Sequence, residues 1–140
     1  MTKTYYLDTC IWRDFYEDRF GQEGRPLGMY ATRLVMKILK NKNQILYSEA
    51  LIRELKKAYA EDQINDMLNL LFLNNVLVRI EITREEYKEA RKISQQRDIP
   101  LVDCLNAVQA RNHGAVVISQ DKHFSDLRDI AQVSKPQHII

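Results

Sequence analysis

The chain of 140 residues has little glycine (4) and little proline (3). Both residues interrupt regular structure, so loops should be short and helices should dominate. Cysteine is also scarce. Cys10 and Cys104 lie far apart and outside any CxxC or histidine-spaced pattern, which excludes a disulfide scaffold and a zinc site legible from spacing. Both are expected to be reduced, buried, small apolar side chains of a cytoplasmic protein. The three histidines, His113, His123 and His138, show no metal-ligand spacing. Apolar stretches such as Leu70-Leu71-Phe72-Leu73 suit the inner face of a helix and fall far short of the ~18 residues that would suggest a membrane span. A charge at Asp8 interrupts the opening segment, so a signal peptide is not expected.

Nor does either sign of charge dominate. Lys plus Arg is 21 and Asp plus Glu is 19, a net charge of +2. Binding of nucleic acid by bulk charge is thereby excluded, but a local basic patch is not. Hydrophobic residues make up 45% and charged residues 29%, an ordinary globular composition that excludes disordered and low-complexity classes. The length suits one domain spanning 1–140, without repeats or linkers.

Short β-prone runs alternate with helical periodicity. Thr4–Leu7 reads as a strand ending at Asp8, and Thr9 is placed to cap a following helix with Ile11, Trp12, Phe15 and Tyr16 on one face. Phe20–Gly28 is the clearest loop. Met29–Lys42 is helical, Gln44–Tyr47 a strand, and Ser48 the N-cap of a helix lined by Leu51, Ile52, Leu55 and Tyr59. Glu61–Leu73 is a further helix and Val76–Ile82 a strand rich in β-branched residues. Thr83-Arg84-Glu85-Glu86 is a capping box that opens a helix to about Gln96. Pro100–Asn112 is a helix with proline in its first turn, Ala115–Ile118 a buried strand, Gln120–His123 a turn, and Ser134–Ile140 an edge strand or frayed end. This alternation predicts an α/β fold with a parallel sheet and helices on both faces. Sites in such sheets lie at the carboxyl ends of the strands.

Acids stand at those ends. Asp8 follows the first strand, and Ser119 and Asp121 follow Ala115–Ile118. Glu54 is in the helix after the second strand, and Asp103 is in a helix first turn. Each acid alone is adequately explained as a cap or a partner of a helix dipole, and Asp14, Asp18, Glu49, Asp98, Asp126 and Asp129 are read that way, although Glu49, in a helix first turn, suits a pocket as well. A convergent set is different. Carboxylates a few Å apart repel by ~1–4 kcal/mol per pair, so some must be protonated or a cation must neutralise them. Without Cys or His ligands close in sequence, the fitting ions are Mg²⁺ or Mn²⁺. Two such ions can support hydrolysis of a phosphodiester.

Tyr5-Tyr6-Leu7-Asp8-Thr9-Cys10-Ile11 resembles the opening motif of PIN domains, a strand-end aspartate followed by a small hydroxyl residue. Leu46-Tyr47-Ser48 with Glu54-Leu55 resembles their second motif. Ile99-Pro100-Leu101-Val102-Asp103-Cys104-Leu105-Asn106-Ala107 resembles the third, and Val116-Val117-Ile118-Ser119-Gln120-Asp121-Lys122-His123-Phe124 the last. Together, in order, they cover nearly the whole chain and are similar above all to VapC-type toxins of toxin–antitoxin pairs. The resemblance implies a PIN-like three-layer sandwich, with a short central parallel sheet of four or five strands and helices on both faces. It implies a Mg²⁺- or Mn²⁺-dependent ribonuclease with Asp8, Glu54, Asp103 and Asp121 as metal-binding acids. Thr9, Ser48 and Ser119 would support the pocket. In one departure, many relatives carry a further acid where this chain has His123.

Charge is uneven along the chain. Met29–Ala60 holds seven basic and two acidic residues, and Glu61–Glu89 three basic and seven acidic. A basic flank beside an acidic pocket suits RNA, although solvated helix faces give the same pattern. Arg13, Arg53 and Lys122, close in sequence to the acids, are the candidate RNA contacts. Trp12 and Tyr16 could stack on bases, but their helical spacing suits a core. A haloacid-dehalogenase-type phosphatase needs a second aspartate where Cys10 stands. A receiver domain needs an aspartate where the third strand ends in Thr83, and dinucleotide binding needs a glycine-rich turn that Asp8-Thr9-Cys10-Ile11 lacks. The remaining alternative is a catalytically weak or inactive RNA-binding or protein-interaction module of the same fold. Expected partners are an RNA substrate, a small antitoxin and a second copy of the chain through the apolar helices Met29–Lys42 and Glu61–Leu73.

Overall fold

The computed structural model describes residues 2–140. Five strands, β1 (Thr4–Leu7), β2 (Gln44–Tyr47), β3 (Leu77–Arg79), β4 (Val116–Ile118) and β5 (Val133–Ser134), form one sheet in the order β3-β2-β1-β4-β5. Every pairing is parallel, with Tyr5 opposite Ile45 on one side and Val116 on the other. Six helices complete the α/β fold: α1 (Thr9–Glu17), α2 (Leu27–Asn41), α3 (Glu49–Lys56), α4 (Glu61–Leu73), α5 (Arg84–Arg97) and α6 (Leu101–Asn112).

Alternation of side chains along each strand builds two cores. Tyr6, Leu46 and Val117 face a core with Ala90 and Ile93 of α5 and Cys104, Leu105 and Val108 of α6. Their strand neighbours Tyr5, Leu7, Ile45 and Ile118 face the opposite core, with Ile11 and Trp12 of α1, Leu34 and Ile38 of α2, Leu55 of α3 and Met67 of α4. The result is a three-layer sandwich. α6 is buried from Asp103 to Ala110, and its small residues Ala107 and Ala110 permit close packing between α5 and the sheet.

Several boundaries differ from the sequence reading. Asp8, rather than Thr9, occupies the N-cap of α1, and Thr9 is the first helical residue. α2 begins at Leu27, so the Phe20–Gly28 loop is shorter than expected. Gly28, in the first turn of α2, has no room for a side chain because α2 meets the end of α1 there: a Cβ at Gly28 would lie 2.4 Å from the Asp18 Cα. Pro100 is the N-cap of α6, just outside its first turn. The run Val76–Ile82 contributes only Leu77–Arg79 to the sheet, because its one neighbour, β2, offers partners only from Ile45 to Tyr47. The turn expected at Gln120–His123 continues as a 3₁₀ helix, Lys122–Leu127. The last segment pairs only at Val133–Ser134, and a 3₁₀ turn follows at Pro136–His138. Trp12 is core, whereas Tyr16 is exposed and packs edge-on against Tyr59.

A buried polar chain links the layers behind the sheet's carboxyl end. Tyr6 OH donates to Gln109 Oε1 at 3.0 Å and meets Ser48 Oγ at 3.2 Å. Gln109 Nε2 donates to the Glu81 carbonyl at 3.2 Å. Ser48 Oγ also accepts from the Ala50 amide at 3.2 Å, the N-cap bond of α3. Removing the shared phenol strands Gln109 Oε1 in a dry site. Tyr6→Phe is therefore expected to lower unfolding free energy by about 1–3 kcal/mol, read as a lower urea midpoint at unchanged m-value.

Candidate active site

β1 sends the chain outward to β2 and β3 on one side, and β4 and β5 lie on its other side. Parallel sheets leave a crevice at the carboxyl ends of strands where the order reverses. Asp8 leaves β1 at that point and Ser119 leaves β4. Although Asp8 sits at an N-cap, its carboxylate makes no cap bond. Its Oδ2 instead accepts from Ser119 Oγ at 2.8 Å and from Cys10 Sγ at 3.3 Å. Ser119 Oγ accepts from the Asp121 amide at 2.9 Å, so one hydroxyl fixes both aspartates. Asp121 caps the following 3₁₀ helix, its Oδ1 accepting from the His123 amide at 2.9 Å. That turn brings His123 Nδ1 to 3.1 Å from Asp103 Oδ2 and 3.2 Å from Asp121 Oδ1.

Asp8 and Asp103 are buried. Burial pushes the Asp8 carboxyl above its ordinary range, opposed by hydrogen bonds from Ser119, Cys10 and the Thr9 amide. Burial, followed by the charges of Asp8 and Asp121, pushes Asp103 from 3.8 up to about 7, with His123 acting the other way. Burial and the neighbouring Asp8 also push the Cys10 thiol up. Cys10 thus remains a protonated donor to Asp8, a role beyond that of a small apolar side chain.

The cleft occupies about 500 Å³ and is lined by Asp8, Thr9, Cys10, Arg13, Arg19, Glu54, Lys57, Asp103, Asp121 and His123 among others. Its cations are engaged by groups other than Asp8, Asp103 and Asp121. Arg13 Nε donates to Tyr59 OH at 3.1 Å, Arg19 Nε to Asp14 Oδ1 at 2.8 Å, and Lys57 Nζ to Glu54 Oε1 at 3.0 Å. Among the described residues no Lys or Arg forms an ion pair with Asp8, Asp103 or Asp121. Asp103, Asp121 and His123 each place one ligand atom within 4.8 Å of the others. Carboxylate oxygens with one imidazole nitrogen, short of positive charge, fit a divalent cation.

The fold thus draws Asp8, Asp103, Asp121, Glu54, Thr9 and Arg13 to one cleft, with Ser119 buried behind Asp8. Glu54 stands apart from the acid–histidine cluster and pairs with Lys57. Ser48 does not line the cleft; it is buried as a cap and a Tyr6 partner. Arg53 lines a neighbouring cavity of about 630 Å³ between α3, α5 and α6, together with Glu49, Arg79, Arg84 and Tyr87. Lys122 is exposed and lines neither space. His123 has no ligand spacing in sequence, because its partner Asp103 is 20 residues away; its one signal is its place two residues after Asp121. Arg19 and Lys57 reach the cleft without any motif to mark them.

The sequence profile of the PIN domain family matches residues 5–130. No curated protein matches the chain. The fold resembles a chain of VapBC2 from Rickettsia felis bound to a DNA fragment from their promoter, at 20% identity and a TM-score of 0.66 over 94% of this chain and 98% of that one. A toxin–antitoxin complex from Klebsiella pneumoniae gives 16% identity and 0.64 over 94% and 97%. FitAcB from Neisseria gonorrhoeae gives 17% and 0.61 over 96% and 99%.

The Asp103 shift makes stability depend on pH. Between 3.8 and about 7 the folded carboxyl holds a proton that the unfolded one has released, so this group's stabilisation is full below 3.8 and is lost as pH rises through about 7. Metal binding releases that proton. Mn²⁺ is therefore expected to raise the melting temperature more at pH 8 than at pH 5, and Asp103→Asn should abolish most of the difference in differential scanning fluorimetry.

Proposed function

This chain belongs to the PIN domain family, and from that premise we propose that it is a single-domain, Mg²⁺- or Mn²⁺-dependent ribonuclease, the toxin of a VapBC-type pair. PIN domains are generally nucleases. The observation that carries the reading is the group of three carboxylates and His123 in one cleft, unneutralised by Lys or Arg among the described residues. Asp103, Asp121 and His123 would hold the ion, with Asp8 and Glu54 on the same cleft. The imidazole suits Mn²⁺ better than Mg²⁺. When bound, such an ion polarises a phosphodiester and activates water.

The chain's own residues orient that chemistry. Ser119 and Cys10 keep the Asp8 carboxylate aimed inward, and Ser119 holds the Asp121 backbone. Arg13, Arg19 and Lys57 bring positive charge to the mouth of the cleft, which suits a polyanion. A small antitoxin would cover this mouth. A second copy would cover Met29 and Met36 on α2 and Leu70, Phe72 and Leu73 on α4, which are exposed. One observation favours the alternative of a weak or inactive RNA-binding module: the pairing of Glu54 with Lys57 withholds one acid from the cluster.

Cleavage of a mixed single-stranded RNA with Mn²⁺ or Mg²⁺ separates the two. The enzyme reading expects cleavage by the wild type and a loss of about 100-fold or more in Asp8→Asn and in Asp103→Asn, since the ion's charge stabilisation is worth several kcal/mol. Equal rates in all three proteins would contradict it.

A further inference from the structure

Asp14 is only 1% exposed, on the inner side of α1. Burying a carboxylate is unfavourable, and a buried ion pair adds little stability over an apolar pair of the same shape. Its side-chain partner is Arg19, whose Nε donates to Asp14 Oδ1 at 2.8 Å. The same guanidinium reaches the Cys10 carbonyl through Nη2 at 3.4 Å. Nη1 has no partner among the described residues, and Arg19 lines the cleft that contains Asp8, Asp103, Asp121 and His123.

The backbone of Arg19 is held as firmly as its side chain. Asp18 takes the left-handed conformation that ends α1. Gly28 then donates its amide to the Arg19 carbonyl at 2.8 Å. Any side chain at Gly28 would collide with Asp18, since a Cβ there would lie 2.4 Å from its Cα and 2.6 Å from its carbonyl carbon. Two helix ends therefore meet on the residue before and the residue itself. The guanidinium is fixed at one edge by a buried acid and is open at the other toward the cleft, which is the preorganisation that favours phosphate recognition.

We propose that Arg19, aimed by Asp14, is a preformed binding site for a backbone phosphate of single-stranded RNA beside the acidic centre. Arg19 is the contact and Asp14 its positioning residue. The site rests on the ribonuclease reading and adds to it a place where the strand is gripped. It also separates Arg19 from Arg13, whose Nε is spent on the half-buried Tyr59.

The test measures binding of a short fluorescent single-stranded RNA to the Asp103→Asn protein across a KCl series at fixed Mg²⁺. Adding Arg19→Ala should weaken binding about five- to tenfold and reduce the magnitude of the log–log salt slope by about 0.7, the value for one phosphate contact on a single strand. Arg19→Lys should keep the slope. Asp14→Asn should also keep the slope but weaken binding, because the charge stays and its aim is lost. If Arg19→Ala unfolds, the neutral pair Asp14→Asn with Arg19→Gln keeps the packing and should show the same loss of slope. RNA binding with a slope indifferent to both charge-removing variants would overturn the site alone. No RNA binding by the Asp103→Asn parent would overturn the site and the ribonuclease reading together.

Discussion

Three carboxylates converge where β1 and β4 end, and their mutual repulsion is what the surrounding structure has to manage. Two unit charges a few Å apart in a partly buried site repel by ~1–4 kcal/mol. At Asp8 the fold answers with a hydroxyl and a thiol rather than with Lys or Arg. Ser119 and Cys10 satisfy Asp8, Ser119 also anchors the Asp121 amide, and His123 stands between Asp103 and Asp121. Asp103 is buried, and that burial first, then the charges of Asp8 and Asp121, push its carboxyl up to about 7. Nearby positive charge is tied to Asp14, Glu54 and Tyr59 instead. Asp8, Asp103 and Asp121 are thereby left without a Lys or Arg partner among the described residues, while Arg13, Arg19 and Lys57 line the same cleft.

The sheet makes this convergence possible. Asp8 and Asp121 are distant in sequence but follow adjacent strands, and Asp103 enters from the first turn of a helix buried along most of its length. The Tyr6–Ser48–Gln109 chain ties β1, α3 and α6 behind the cleft. Arg19 is brought in by a separate device, the contact between the ends of α1 and α2 at Gly28.

Much of this was legible in the residue pattern, and the remainder was hidden for identifiable reasons. Strand-end acids, the Thr83 capping box and the alternation of strands with helices are local signals, and the structure has them in that order, with the strands at Val76–Ile82 and Ser134–Ile140 cut short where no neighbouring strand pairs with them. A strand-end serine serves equally as a pocket donor or a helix cap: Ser48 is the N-cap that its place before α3 indicates, and Ala50 and Tyr6 use its hydroxyl away from the cleft. His123 and Arg19 were missed because their partners are set by tertiary contacts. Asp103 meets His123 only across the fold, and Asp14, which reads in sequence as a cap or helix-dipole partner, is buried by the packing of α1.

The central claim is that Asp103, Asp121 and His123, with Asp8 behind them, form a divalent-cation centre. Anomalous diffraction from crystals grown with Mn²⁺ tests it most directly. The account predicts a strong peak bounded by the Asp103 and Asp121 carboxylates and the His123 imidazole, absent from Asp103→Asn crystals. A well-ordered cleft with no peak, Asp103 and Asp121 bonded only to His123, would contradict it.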